Sequence, residues 1–201
     1  VFPDFGNAGN GELFYFDNLE LGSGENDDDD DDNENTEPAI AAPTPTVAAA
    51  NVISMFSNAY DNVPVDTWRT DWSVAMLEDI MIENNDTKKY SQLDFVGVET
   101  ISNTIDASEM THFHTDIWTA DATEFAVKLV DLGADGAFGG GDDVEFQVNF
   151  TAPTQGEWVS FDIPLSDFEG LTTRANIGQL IYVGAPSGEN IIYVDNVYFH
   201  N

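Results

Sequence analysis

The feature that most limits the folds open to this chain is a series of short runs rich in Val, Ile, Phe, Tyr and Thr, with almost nothing of helical period between them. VISMFS (52–57), KYSQLDFVGVE (89–99), MTHFHTDIWTA (110–120), FAVKLVDLG (125–133), DVEFQVNF (143–150), EWVSFDIPL (157–165), QLIYVGA (179–185) and IIYVDNVYFH (191–200) are separated by Gly, Pro, Asn and Asp. β-branched and aromatic side chains suit a pleated, half-buried surface, and the intervening residues suit turns. Only LSDFEGL (165–171) hints at a helical turn. Short strands without alternating helices predict an all-β fold, an antiparallel β-sandwich of jelly-roll type.

The last run has a near copy at the other end of the chain. Tyr15-Phe16-Asp17-Asn18-Leu19 aligns on Tyr193-Val194-Asp195-Asn196-Val197, each preceded by Gly-Glu. Between the copies, residues 22–46 hold six consecutive aspartates, Asp27 to Asp32, and then Pro38, Pro43 and Pro45. Like charges repel and Pro-Thr steps favour extended backbone, so this stretch reads as a spacer that cannot pack. The organisation expected is therefore a closing-strand remnant of a preceding similar domain at 1–21, an acidic and Pro/Thr-rich linker at 22–46, and one complete sandwich at 47–201, from a tandem array. Chance similarity of two alternating strands is the plainer alternative.

The 201 residues carry a formal charge of −33, and all five basic residues (Arg69, Lys88, Lys89, Lys128, Arg174) fall within 47–201. Such a surface repels nucleic acid and anionic membranes, and argues against strongly anionic polymers as ligands. Neutral partners and divalent cations remain. There is no cysteine, so no disulfide staples the fold, and no apolar span is long enough for a membrane helix.

Two stretches carry aromatic residues where solvated structure does not need them. In MTHFHTDIWT, strand alternation turns Phe113, Thr115 and Ile117 toward the core and sets His112, His114, Asp116 and Trp118 as a ladder on the other face. The C–H face of a pyranose packs on an indole, while carboxylate and imidazole groups hydrogen-bond its hydroxyls, so Trp118 with Asp116 and His114 is a candidate sugar site. The plainer alternative is a ladder covered by a loop. His112 and His114 make a poor zinc pair, with no third His or Cys evident nearby. The polar loop DTWRTDWS holds Trp68 and Trp72, each a stacking platform or an anchor under the sandwich, whereas Trp158 opens a strand and reads as structural.

The chain also resembles a known family. APTPTVAAANVISMFSNAY, the DW of WRTDW, MTHFHTDIWTAD, LVDLGADGAFGGGDD, WVSFDIPLSDF with GLTTR, and YVDNVYFH together look like a carbohydrate-binding module of marine Bacteroidota, appended to laminarinases and found in surface glycan-binding proteins. The resemblance covers nearly all of 41–200. It implies a non-catalytic β-sandwich, secreted or displayed at the outer-membrane surface, often in tandem. It also implies a neutral β-glucan ligand, laminarin (β-1,3-glucan) first. On the binding face, Gln92 or Glu99 on a neighbouring strand is expected to join Asp116 and His114 in selecting hydroxyls.

The closing strand raises a charge problem. Tyr193, Asp195, Val197 and Phe199 share one face by simple alternation, with Val194, Asn196 and Tyr198 on the other, and neither choice leaves the Asp-Asn pair wholly exposed. A buried carboxylate is costly unless paired, and basic partners are scarce here. Calcium is the natural counter-ion, with Asp195 as first ligand, Ser57 and Asn58 as partners and Asp61 further off. The resemblance agrees, since modules of this kind hold structural calcium where first and last strands meet. A turn-capping Asp195 is the plainer reading. DLGADGAFGGGDD (131–143) lacks the EF-hand pattern and reads as a wide glycine-rich hairpin loop. No paired-carboxylate, Ser-His-Asp or nucleotide-binding pattern singles itself out, so no enzyme is expected. The remaining alternatives are a calcium-stabilised structural or adhesion spacer and, behind it, a small glycan lyase or hydrolase.

Overall fold

The computed structural model describes residues 36–201. The expected strand remnant 1–21 and residues 22–35 of the expected linker lie outside the described residues. The strands are β1 (Val52–Phe56), β2 (Val74–Ile82), β3 (Asn85–Glu99), β4 (His112–Trp118), β5 (Glu124–Asp131), β6 (Val144–Thr151), β7 (Trp158–Pro164), β8 (Ile177–Ala185) and β9 (Asn190–His200). All ladders between them are antiparallel, in the order β6-β5-β8-β3-β9-β4-β7, with β1 added to β9 and β2 to β3.

One long strand turns this sheet into a sandwich. The first part of β3, Lys88 to Tyr90, pairs with β9, and its second part, Phe95 to Glu99, pairs with β8. A register shift between Tyr90 and Leu93 separates the two halves, and Gln92 within it has φ of 52°. A bulge of this kind bends the strand and sends its ends into different layers. The layers meet across the core, where Thr115 of β4 and Tyr182 of β8 share a hydrogen bond of 2.9 Å between their hydroxyls. Nearby, Phe125 of β5 and Phe161 of β7 lie 5.1 Å apart between ring centres. Val96, Val98, Phe113, Ile117, Leu129, Val194 and Phe199 fill the space between. Each such side chain contributes on the order of 1.5–3 kcal/mol by leaving water. The jelly-roll sandwich expected from the strand pattern is the fold observed, and the expected helical turn is present as a 3-10 turn at Leu165–Asp167.

Three features depart from expectation. β2 was not anticipated, because VAMLEDIMI is built largely from Met, Leu, Glu and Asp, which local propensity does not assign to strands. It forms because Glu83 and Asn84, with φ of 50° and 67°, close a tight hairpin onto β3.

In β9, simple alternation fails at Asn196. This residue has φ of 51°, left-handed backbone that Asn tolerates. The extra residue brings both Val194 and Val197 into the core, leaving Asp195 and Asn196 between them.

The third departure concerns the segment read as an unpackable spacer. Its described part, 36–46, packs. Pro38 and Ala42 are buried, and the compact unit takes in this segment as well as the strands. Trp158 Nε1–H donates to Ile40 O (2.8 Å), Asn196 Nδ2–H to Pro43 O (2.9 Å) and Tyr60 O–H to Val47 O (2.8 Å). Residues 36–47 are thus a strap, its main-chain carbonyls held by side chains of the sandwich. Extended Pro-rich backbone leaves its carbonyls free to accept such bonds.

Candidate functional site

The outer faces of the two layers differ. On the β6-β5-β8-β3 layer, Val96 and Val98 point into the core, so Phe95, Gly97 and Glu99 point outward. The loop before β2 brings Trp72 onto this face. Thr70 N–H donates to Gly97 O (3.1 Å), Gly97 N–H donates to Ser73 Oγ (3.0 Å), and the Thr70 and Ser73 hydroxyls share a bond of 2.7 Å. Arg69 Nε–H fastens the loop's far side to Ala75 O at 2.6 Å. The indole is set above a residue without a side chain: a Cβ at position 97 would lie 2.1 Å from Trp72 Cη2. It stacks on Phe95 at 6.0 Å with an interplanar angle of 24°, and Trp72 remains 44% exposed. A fixed aromatic plane reachable by solvent is the result.

Further along the same face, Glu99 Oε1 accepts from Gln179 Nε2 (2.8 Å), and Lys128 Nζ pairs with Glu145 Oε1 (2.6 Å). Beyond these lies a shallow cavity of about 160 Å³ between β5, β6 and β8, edged by Gln147, Asn149 and Val183. Aromatic surface, aliphatic floor and hydrogen-bonding side chains therefore share one sheet face that the described residues leave open. Gln92 is exposed at the bulge of β3.

The β9-β4-β7 layer carries the His-Asp-Trp ladder, and the alternation expected for β4 is observed. Its accessibility is not. Trp118 is 2% exposed and Asp116 is also buried. Trp118 packs edge-on against Tyr193 at 5.4 Å and pairs across the ladder with Trp158. Both neighbours reach the strap, Trp158 through Ile40 O and Tyr193 through its hydroxyl to Thr36 O (3.5 Å). Trp118 offers no face to a sugar, and the expectation that this indole lies open is corrected. Trp68 is likewise an anchor: it packs edge-on against Phe56 at 5.4 Å, and its carbonyl accepts from Tyr90 O–H at 2.8 Å. The candidate residues are therefore not one site. Trp72 and Glu99 share the open face, whereas His114, Asp116 and Trp118 lie on the strapped one.

Beneath the strap the polar ladder is densely bonded. Asp116 accepts from Ser160 O–H, from Asn196 Nδ2 (2.7 Å) and from His114 Nε2 (3.3 Å). Burial lowers the His114 pKa, but hydrogen bonds and charge from Asp116 and Asp162 outweigh it and raise the value on balance. For Asp162, desolvation pushes up, yet His200 and His114 together bring the carboxyl below its usual range.

Asp195 is buried at the junction of β9 with β3 and β4. Desolvation drives its carboxyl up to about 7, helped by the nearby Asp116 charge and opposed by the Asn196 N–H and by Asn85, which donates to Oδ2. The residues expected to join it on calcium stand around it without touching it. Ser57 O–H donates to Asn196 Oδ1 (2.8 Å), and Asn58 Nδ2–H donates to Asp86 Oδ2 (3.2 Å). The Asp195 carboxylate thus accepts from two N–H donors, Asn85 Nδ2 and Asn196 N, with the Asp116 and Asp86 charges nearby and no basic group bonded to it among the described residues. The 131–143 aspartates instead accept main-chain N–H groups, Asp142 from Ala134 and Asp143 from Gly139, as a hairpin loop requires.

Phe95 and the strap were not identified from sequence as parts of a site. Phe95 was legible in principle, since LDFVGVE places it two residues before Gly97 on the face of Glu99. The strap had no such signal, because its bonds come from main-chain oxygens.

No protein-family model and no curated protein matches the sequence. Among solved structures, the family 11 carbohydrate-binding module of the cellulosomal cellulase Lic26A-Cel5E of Clostridium thermocellum aligns at 14% identity with a TM-score of 0.55, over 78% of this chain and 96% of that one. The family 30 module of the cellulosomal cellulase Cel9D-Cel44B of the same organism aligns at 13% identity and 0.56, over 75% and 97%. The Clostridium thermocellum family 11 module in complex with a β-1,3-1,4-mixed-linked tetrasaccharide aligns at 13% identity and 0.50, over 75% and 96%. What these likenesses show for residues 36–201 is the fold, an antiparallel jelly-roll sandwich.

Proposed function

We propose that this domain is a non-catalytic carbohydrate-binding module whose glycan lies across the open β6-β5-β8-β3 face, stacked on Trp72. The observation that carries the reading is the solvent-facing indole of Trp72, fixed above Gly97 by the bonded 70–73 turn. Phe95 extends the shelf, and Glu99, Gln179 and Lys128 supply hydroxyl partners along it, with Gln92 at its edge. The structural neighbours support the reading at the level of fold, and one of them is a complex with a β-1,3-1,4-mixed-linked tetrasaccharide. The strongly acidic surface favours a neutral polymer. Laminarin is the ligand we put first, in keeping with the resemblance to modules of marine Bacteroidota laminarinases and surface glycan-binding proteins. In keeping with the same resemblance, we propose that the protein acts outside the cell or on the outer membrane, with a second module joined in tandem to raise a weak single-site affinity. We further propose a structural calcium held by Asp195 and Asn58, with Ser57 orienting Asn196 beside them.

The spacer alternative requires both loop tryptophans to be buried, and the exposure of Trp72 weighs against it. Affinity electrophoresis of the full chain in laminarin, mixed-linkage β-glucan and a soluble cellulose derivative tests the proposal. Retardation in laminarin above the other two is expected. Retardation only in another gel changes the linkage, and free migration in all three removes the glucan reading.

A further inference from the structure

A second opening lies on the opposite layer, between strap residues 43–47 and the outward side chains of β4, β7 and β9, with a volume of about 440 Å³. Three of those side chains meet on one edge of it: His114 from β4, Asp162 from β7 and His200 from β9. One ligand atom from each lies within 4.8 Å of the others. Asp162 Oδ1 is 3.2 Å from His114 Nδ1 and 2.7 Å from His200 Nε2.

Each ring stands between two acceptors. His200 Nδ1 faces the main-chain oxygen of Asn201 at 3.2 Å while its Nε2 faces Asp162 Oδ1 at 2.7 Å. His114 Nε2 faces the buried carboxylate of Asp116 at 3.3 Å while its Nδ1 faces Asp162 Oδ1 at 3.2 Å. A neutral imidazole has a single N–H, so each neutral ring leaves one nitrogen lone pair against an oxygen that only accepts. Protonating the rings relieves that mismatch, and so does a cation bound where His114 Nδ1, His200 Nε2 and Asp162 Oδ1 converge.

We propose that His114, Asp162 and His200 form a binding site for a divalent transition-metal ion of the zinc class, with its fourth position open to the cavity beneath residues 43–47. Two imidazoles and one carboxylate are a ligand set for zinc, nickel, cobalt or copper rather than for calcium or magnesium. Zinc bonds of about 2.0–2.1 Å in tetrahedral array set ligand atoms roughly 3.4 Å apart; the two sides at Asp162, 3.2 and 2.7 Å, have to open toward that spacing, and all three atoms already lie within 4.8 Å of one another. The outer contacts suit a metal site: Asp116 and the Asn201 oxygen fix the tautomers, as second-layer acceptors do for metal-bound histidine. The ring planes are fixed by stacking, His114 on Tyr198 at 4.4 Å and His200 on His112 at 5.1 Å, both at 11°. The Asp162 side chain, 50% exposed, gives the ion a way in. The ligands come from three adjacent strands, so the ion would tie β9 to the β4-β7 edge beside the strap. The third ligand missing near His112 and His114 in the sequence is supplied by His200 through the β4-β9 ladder.

The test uses the full chain without a histidine tag, stripped with chelator and exchanged into metal-free buffer near neutral pH. Titration calorimetry with zinc chloride should give saturable one-to-one binding, cobalt should give the visible absorption of a tetrahedral N/O site, and zinc should raise Tm. His200→Gln and the exposed Asp162→Asn should each weaken zinc binding at least tenfold while leaving the metal-free Tm and any calcium response near those of the parent. Absence of saturable binding overturns the site. So does a zinc affinity in both variants equal to that of the parent, or a Tm that responds to acidification at these histidines and not to zinc. Laminarin binding belongs to the other layer and reports separately on the proposed function.

Discussion

The indole of Trp72 rests on Gly97, closely enough that a single added carbon at position 97 would collide with the ring. The flatness of the shelf therefore depends on a residue whose only contribution is the absence of a side chain. Gly97→Val should lift Trp72 from Phe95 and lower affinity for laminarin at least tenfold, since stacking needs the plane where it stands. Titration calorimetry on the folded variant checks this, and an unchanged affinity would separate the shelf from the site.

Trp118 has the opposite character. It is sealed between Tyr193, Trp158 and the strap, so Trp118→Ala should destabilise the fold by about 3–5 kcal/mol, as deletion of a large buried aromatic does. Chemical denaturation measures the loss. Sugar affinity of the fraction that remains folded should match that of the parent.

The strap makes a smaller, local contribution. Trp158→Phe removes the N–H that bonds Ile40 O and should cost on the order of 1 kcal/mol. Hydrogen exchange should then quicken across residues 36–47 and stay unchanged across β5 and β8. Equal quickening in both regions would mean that the strap is not held in this way.

Asp195 sets a pH dependence with a definite sign. Its carboxyl is raised to about 7 in the folded protein from an ordinary 3.8, so the folded state holds a proton that the unfolded chain has released between these values. In chelator, stability therefore falls as pH rises across that window and levels off above it. Asp195→Asn should flatten this component, seen as the difference between parent and variant Tm against pH. Calcium should oppose the decline in the parent alone, because a bound cation favours the ionised carboxylate. A parent and variant with parallel pH profiles would contradict the assignment.

Much of the molecule was readable before its coordinates. The runs that became β1 and β3 to β9 announced themselves through β-branched and aromatic residues, and the two faces of β4 followed from alternation alone. What alternation could not say is which outer face stays wet. Trp118 and Trp72 look alike in sequence, each within two residues of an aspartate, yet one is covered and the other open. The difference lies in residues 36–47, whose Pro, Ala and Thr carry no hydrophobic pattern and which bind through backbone oxygens that any sequence would have. β2 was hidden for a related reason: Met76 and Met81 face outward on a strand paired on one side only, and the turn at Glu83 and Asn84 lacks the glycine that usually marks such hairpins. The His114-Asp162-His200 cluster joins three strands whose adjacency is a property of the ladder and not of local spacing.

The account stands most directly on one comparison of two tryptophans. Laminarin affinity electrophoresis of Trp72→Ala and Trp118→Phe, each confirmed folded by its thermal transition, should show retardation abolished in the first and retained in the second. Retention in Trp72→Ala with loss in Trp118→Phe would contradict the account and move the sugar to the strapped face.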